Sequence, residues 1–378
     1  MPDLEISKPR RRPWDPKPHD SAGDAVAAAP GVGLAFTGTE GDALRLFSKL
    51  TLIIMVTAGV YRFWAKAAVR QFLWGHLEID KEPLEYTGNG LELFRSFLIV
   101  VTLLAPLFLI ASIAPFIFSD GDGSLWEVGL FGLVWAVLMP LGAFQARRYR
   151  LSRTLWRGVR GAQGGSAMRY LWITFSGYIL LVLTAGFSFG NLRARQIRYL
   201  NNNVWMGDQR MQCDLLTGRL TWLWIGCYLL LPFTLGISYV AYRTIEARRT
   251  VAHVRIADLG FKSELPTTMV VAYIALFAIS MGLAWAVFSA AIYAAATAFG
   301  AIGADILENI ATILGVFSIV LLAPPIRLAT FTVPLLRKFM TTLTVTGVLR
   351  PETIGASPIT QPGGGGEGLA ALLDFDVG

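Results

Sequence analysis

The chain reads as a polytopic α-helical membrane protein with about seven hydrophobic segments, and three observations lead there. Hydrophobic residues make up 54% of its 378 residues, charged residues only 16%, and mean hydropathy is +0.53. A soluble domain of this length carries more charge and less apolar surface. Apolar runs near the ~20 residues needed to cross a bilayer recur at Ser96–Phe118, Leu125–Phe144, Tyr170–Leu192, Leu220–Tyr242, Met269–Phe299 and Ile310–Pro324, with a shorter one at Leu50–Val60. Finally, a short pattern repeats: a hydrophobic stretch ends in a small-residue break and a basic, helix-like segment follows.

Residues 1–33 form a Pro-rich basic tail carrying Lys8-Pro9-Arg10-Arg11-Arg12-Pro13. No apolar core follows those cations, so the tail reads as disordered rather than as a cleavable signal peptide. Residues 34–350 hold the repeats and form one integral membrane domain. The clearest copies are Thr57-Ala58-Gly59 before Arg62, Lys66 and Arg70; Thr184-Ala185-Gly186 before Arg193, Arg195 and Arg198; and Thr234-Leu235-Gly236 before Arg243, Arg248 and Arg249. A looser copy places Leu141-Gly142 before Arg147, Arg148, Arg150 and Arg153.

Two pairs of segments read as transmembrane hairpins, because each flanks an acidic turn while its outer ends are basic. The first turn is Ser119-Asp120-Gly121-Asp122-Gly123-Ser124, and the second contains Asp305 and Glu308. These turns should be periplasmic and the C-terminus cytoplasmic. Leu50–Val60, Tyr170–Leu192 and Leu220–Tyr242 have positive charge at both ends, so full crossing would export a strongly basic loop. Re-entrance would keep every basic stretch on one side, and the spacing of Gly59, Gly142, Gly186, Gly236 and Pro325 favours it. Ser176-Gly177, Gly226 and Pro232 supply breakers; broken backbone is tolerated at membrane depth where protein or water satisfies it.

Short strands surround these segments. His76–Ile79 with Leu84–Tyr86, and Val204–Met206 with Arg210–Cys213, read as strand pairs around Asp80-Lys81 and Gly207-Asp208. Val254–Ile256 and Leu343–Gly347 add more. The unit is strand, membrane segment, basic helix, strand, and the strands of all copies can join in one cytoplasmic sheet. Beyond residue 350, Gly363–Gly366 forms a flexible linker. It leads to Leu369–Phe375, an acidic, apolar tail that either docks in a partner groove or on the protein's own basic face, or hangs free.

Phe36-Thr37-Gly38, Leu46-Phe47, Thr57-Ala58-Gly59-Val60-Tyr61-Arg62-Phe63-Trp64-Ala65-Lys66 and Tyr86-Thr87-Gly88 together resemble the YjgN family of bacterial inner-membrane proteins, a domain of unknown function. The likeness runs from about Gly33 to Gly347. It implies a multi-pass protein of the bacterial inner (plasma) membrane and supplies no catalytic residue, substrate or cofactor.

The basic helices are the leading functional signal. Arg62, Lys66 and Arg70 recur every four residues along one helical face, and with Arg147, Arg153, Arg193, Arg198, Arg243 and Arg248 they are candidate contacts for anionic phospholipid headgroups. His76, Asn203 and His253 stand equally far behind Gly59, Gly186 and Gly236, which suggests either a central polar cluster or hydrogen-bonded structural positions. Asp305 and Glu308 suit a helix start better than a cation path. Cys213 and Cys227 cannot build a disulfide framework, and no metal or cofactor is expected. Nucleophile elbow, zinc-protease motif and phosphate loop are all missing, so a non-enzyme is expected. Placement of the cations beside apolar runs argues against nucleic acid. The leading expectation is a protein that binds, organises or moves lipid or another amphiphile. Alternatives are a secondary transporter for a small anion, or a scaffold for a membrane-protein partner or a second copy of the chain.

Overall fold

Five copies of one unit build the protein in a computed structural model that describes residues 33–118, 124–299, 322–347 and Gly355. The first unit is β1 (Leu34–Phe36), α1 (Glu40–Val56), α2 (Arg62–Gly75) and β2 (Leu77–Ile79), followed by the short β3 (Glu82–Pro83). The second is β4 (Glu85–Tyr86), α3 (Gly90–Phe118), α4 (Ser124–Ser152) and β5 (Thr154–Trp156). The third is β6 (Val159–Gln163), α5 (Ala167–Leu183), α6 (Phe189–Asn201) and β7 (Val204–Met206). The fourth is β8 (Gln209–Cys213), α7 (Thr217–Leu230), α8 (Ile237–Ala252) and β9 (Val254–Ile256). In the fifth, β10 (Leu259–Ser263) and α9 (Thr267–Phe299) precede a helix over 322–342 that widens into a π turn at Leu328–Thr332. That helix finishes as α10 (Val333–Thr342), before β11 (Leu343–Thr346).

One backbone hydrogen bond closes every unit. The amides of Thr37, Thr87, Gly164, Asp214 and Glu264 donate to the carbonyls of His76, Arg153, Asn203, His253 and Thr342 at 2.7–3.3 Å. Thr37 and His76 lie 39 positions apart, an interval that the third and fourth units repeat. The second unit stretches it to 66. Units one, three and four are therefore short helical hairpins, and the sequence between the closing strands is longer in units two and five.

Both ends of each hairpin return to paired strands. Within units, Leu34 lies opposite Ile79, Glu85 opposite Leu155, Gly161 opposite Met206, Met211 opposite Ile256 and Gly260 opposite Thr346, all antiparallel. Tight turns then join each unit to the next. Asp80 and Lys81 both adopt positive φ (54° and 65°), as Gly207 does (61°), so the two turns expected from sequence form. The result is an eight-stranded sheet from β4 to β11 beside a three-stranded sheet β1-β2-β3. The two nearly merge, because Leu84 between β3 and β4 donates to Leu77 at 2.9 Å. Strands β5 and β10 were not anticipated; β5 is only three residues long, and Gly260 interrupts the alternation of β10.

Each basic helix packs over the opening of the following unit: α2 on α3 and β4, α4 on α5 and β6, α6 on α7 and β8, α8 on α9 and β10. The series closes on itself, because α10 packs on β1. Phe36, Phe47, Leu50 and Phe72 of the first unit are buried in one cluster with Leu328 and Val333 of the fifth. Five units therefore form a ring.

The three short hairpins reverse through one device. Thr57, Thr184 and Thr234 each donate their hydroxyl to the carbonyl four residues back (2.8, 2.7 and 2.9 Å). Each hydroxyl also accepts from the backbone amide four residues ahead (3.2, 3.1 and 3.2 Å). One side chain thus satisfies the end of the incoming helix and the start of the returning one. The next two residues are left-handed, with φ of 48° and 85°, 46° and 92°, and 47° and 88°, which explains the glycine in every copy.

Some expectations need correction. The looser copy at Leu141-Gly142 is no break, since α4 runs unbroken through Pro140 to Ser152; a 29-residue helix continues past one lost hydrogen bond. Tyr170–Leu192 and Leu220–Tyr242 are not single segments, because each contains a Thr-x-Gly reversal. Ser176-Gly177 and Gly226 lie inside continuous helix, so only Pro232 sits at a break. Among the described residues, one helix, over Thr267–Ile292 (26 residues, mean hydropathy 2.2), joins the length and apolarity that crossing requires. The basic tail, the turn at 119–123, Asp305, Glu308, most of Ile310–Pro324 and the Gly-rich linker with its acidic tail lie outside the described residues.

Candidate functional site

Most of the cations singled out from sequence fasten the ring together. Arg147 at the foot of α4 donates from Nε to Gln163 Oε1 (3.1 Å) and from Nη2 to Asn201 Oδ1 (2.7 Å), tying the second unit to the third. Arg153 pairs with Glu92 at 2.9 Å, joining the end of α4 to the start of α3. Arg198 donates to the carbonyl of Leu215 in the following unit. Arg70 is fully buried and donates to the Tyr86 hydroxyl at 3.1 Å. Arg62 is exposed and lies over the rings of Phe63 and Phe97, 4.9 and 5.1 Å from their centroids. Arg248 lies half-buried near Glu264, whose carboxylate it helps to stabilise.

The densest polar cluster joins the third and fourth units. Glu246 on α8 is almost fully buried, with 3% of its side chain exposed, and accepts from Arg193 of α6 at 3.1 Å and Arg243 at 2.7 Å. Arg193 also donates to Gln196 (3.3 Å), which donates in turn to the buried Thr174 (3.0 Å). Two guanidiniums on one carboxylate leave a net positive charge at this seam. The sequence reading named both arginines but missed Glu246, Gln196 and Thr174. One signal was available: Glu246 and Gln196 both stand ten residues behind a turn glycine.

By the same numbering, Lys66, Arg193 and Arg243 each follow a turn glycine by seven residues. Lys66 has no carboxylate like Glu246 on its own helix.

His76, Asn203 and His253 each turn back onto their own helix. His76 Nδ1 lies 2.7 Å from the Phe72 carbonyl and His253 Nδ1 2.8 Å from that of Arg249, while Asn203 donates to Tyr199 at 2.7 Å. Thr154 and Thr342 make the same contact, four residues back, in the remaining units. These side chains cap helix ends. Among the described residues, no three His, Cys, Asp or Glu side chains come together in a way that could hold a metal ion.

A second site lies on the outside. The most exposed large apolar residues surround the three Thr-x-Gly turns: Val56, Val182, Leu183, Phe233 and Leu235, the last 95% exposed. Lower on the same hairpins, exposed Arg169 precedes exposed Trp172 by three residues, and Arg219 precedes Trp222 likewise. Cation, aromatic belt and apolar tip follow one another up the hairpins of the third and fourth units. Carbonyls freed at the third unit's turn are met from the fourth: Trp224 Nε1 donates to Gly186 (2.8 Å) and the Tyr228 hydroxyl to Ala185 (3.1 Å). An apolar tip whose backbone is satisfied by protein suits hydrocarbon surroundings.

The sequence that builds this ring falls in a bacterial family of unknown function. Residues 32–225, just over half of the chain, match the model described as bacterial protein of unknown function (DUF898), and the chain belongs to that family. The relative named inner membrane protein YjgN, of Salmonella typhimurium strain LT2, is 27% identical over 150 residues, 40% of this chain and 36% of that protein. The match thus spans little more than a third of that relative's length. No solved structure matches the chain.

Proposed function

We propose that the ring is a multi-pass protein of the bacterial inner membrane that binds anionic phospholipid at its basic waist and organises or moves lipid or a similar amphiphile. The observation that carries this reading is the set of apolar tips, which would be costly in water at ~25 cal/mol per Å² and cost nothing among acyl chains. Helices α1, α5 and α7 have 17, 17 and 14 residues. At 1.5 Å per residue they reach roughly 21–25 Å, short of a ~30 Å hydrocarbon core. With both ends paired in one sheet, these hairpins enter and leave by the same side, while the lengthened second and fifth units cross. Sheet, basic waist and C-terminus then share the cytoplasmic side. The identity of the relative as an inner membrane protein supports the location.

Headgroup contact is assigned first to Arg169 and Arg219, which stand exposed beside Trp172 and Trp222 at the level where cations meet phosphate and indole meets the interface.

The test has two arms. Single cysteines at positions 62, 120 and 195 in sealed cells should be labelled from outside only at 120. Protein purified in mild detergent should carry anionic phospholipid, and Arg169→Gln with Arg219→Gln should lose most of it. External labelling at 62 or 195 would sink the half-depth hairpins. Preparations free of lipid, with an unchanged lipid profile in deletion cells, would remove the lipid role, and a recurrent stoichiometric protein partner would replace it with a scaffold.

A further inference from the structure

The sheet has two chemically different faces. Ladder register places Arg160, Trp205, Arg210, Arg255 and Lys262 on one of them, since Ala162 lies opposite Trp205, Trp205 opposite Arg210, Gln212 opposite Arg255 and Gly260 opposite Arg255, and side chains alternate along each strand. The other face carries Met206, Met211, Cys213, Val254, Ile256 and Leu259. Cys213 lies buried there with Leu215 and Leu220 against Ala194 of α6. The cationic face therefore points away from the helices. Strands β6 to β11 contain no carboxylate at all. Arg210, Arg255 and Lys262 are exposed, with Lys262 paired to Glu264 beyond the strand end at 2.7 Å.

The chain itself returns to this face. Gly355 donates to Asp208 Oδ1 at 3.1 Å and accepts from the Asp208 amide at 3.2 Å, so it is clasped at the β7–β8 turn, two residues from Arg210. Beyond Gly355 the sequence holds Glu367, Asp374 and Asp376 and neither Lys nor Arg, with Leu369, Leu372, Leu373 and Phe375 between the acids.

We propose that residues 356–378 dock on the cationic sheet face of the same chain, the carboxylates on Arg210 and Arg255 and the apolar side chains against Trp205. Three observations combine: the clasp at Asp208 delivers the segment to the edge of this face, the charges are complementary, and strands β6 to β11 hold no acid to repel it, Glu85 lying two strands beyond Arg160 on the same face. The docked segment occupies in cis the surface that any soluble anionic partner would need.

Hydrogen exchange on the full-length protein tests it. Amides of residues 367–376 should exchange about tenfold slower than an unstructured chain, protection of the modest size expected for surface docking, and 0.5 M salt should abolish that protection. Arg210→Glu with Arg255→Glu should remove it, and so should Glu367→Lys with Asp374→Lys and Asp376→Lys. The chain carrying all five changes should recover it. Coil-like exchange in the unaltered protein would overturn the proposal, as would protection that survives both charge reversals. The tail variants leave the ring's own residues untouched, so a folding defect in the arginine pair does not spoil the test.

Discussion

Arg337 and Glu40 lie 297 positions apart in sequence, yet Nη1 of the first stands 2.8 Å from Oε1 of the second. Arg337 Nη2 also donates to the Gly38 carbonyl at 2.7 Å. No strand ladder joins β11 to β1 among the described residues, so this contact and the packing of α10 on β1 close the ring. Both side chains are about two-fifths exposed, which limits the ion pair to about 1 kcal/mol or less. Arg337→Ala should lower thermal stability by only a few degrees while accelerating exchange in β1 and α10 more than elsewhere. Uniform acceleration around the ring would contradict a local closing role.

Glu246 should matter more. Glu246→Ala leaves Arg193 and Arg243 facing each other over a buried gap, and removal of one member of a buried pair is costly. Because 28% and 43% of the two arginine side chains remain exposed, the loss is discounted to about 2 kcal/mol. Glu246→Gln should cost roughly half as much, since Gln196 serves at the equivalent place in the third unit. Denaturation of the two variants in one detergent compares them, and equal losses would show that charge rather than hydrogen bonding holds the seam.

The turn glycines separate backbone strain from space. Gly186 has φ +92°, and a Cβ there would lie 3.0 Å from the Tyr228 hydroxyl, so Gly186→Ala should destabilise by about 1–2 kcal/mol. Gly218 lies within α7 with open space around it, and Gly218→Ala should stabilise by up to about 1 kcal/mol. Thermal unfolding of both variants checks the contrast; a shared sign would exclude the left-handed turn as its cause.

Much of the fold was legible where a residue type has one physical use. Thr-x-Gly was legible as a break ahead of each basic helix, but not as the point of reversal, because that role comes from a hydroxyl bridging two helices and a glycine in the left-handed position. Leu141-Gly142 lacks that threonine, and the helix runs on. The equal spacing of His76, Asn203 and His253 established that these positions are equivalent, but equivalence carries no direction: each bonds its own helix. Pairings such as Arg193 with Glu246, or Arg337 with Glu40, were not legible, because helix-surface charge reads alike whether it meets solvent or a neighbouring unit. The amphipathic sheet was hidden by strands of two to five residues, too short for alternation to show.

Packing of every descending helix on the following unit, with the last on the first, has a consequence for how the molecule comes apart. Open solenoids fray from terminal repeats, and they need special caps to shield those ends. A circle has no terminal repeat, so loss of any one member exposes two raw faces at once. Unfolding should accordingly be a single cooperative event rather than a progressive peeling.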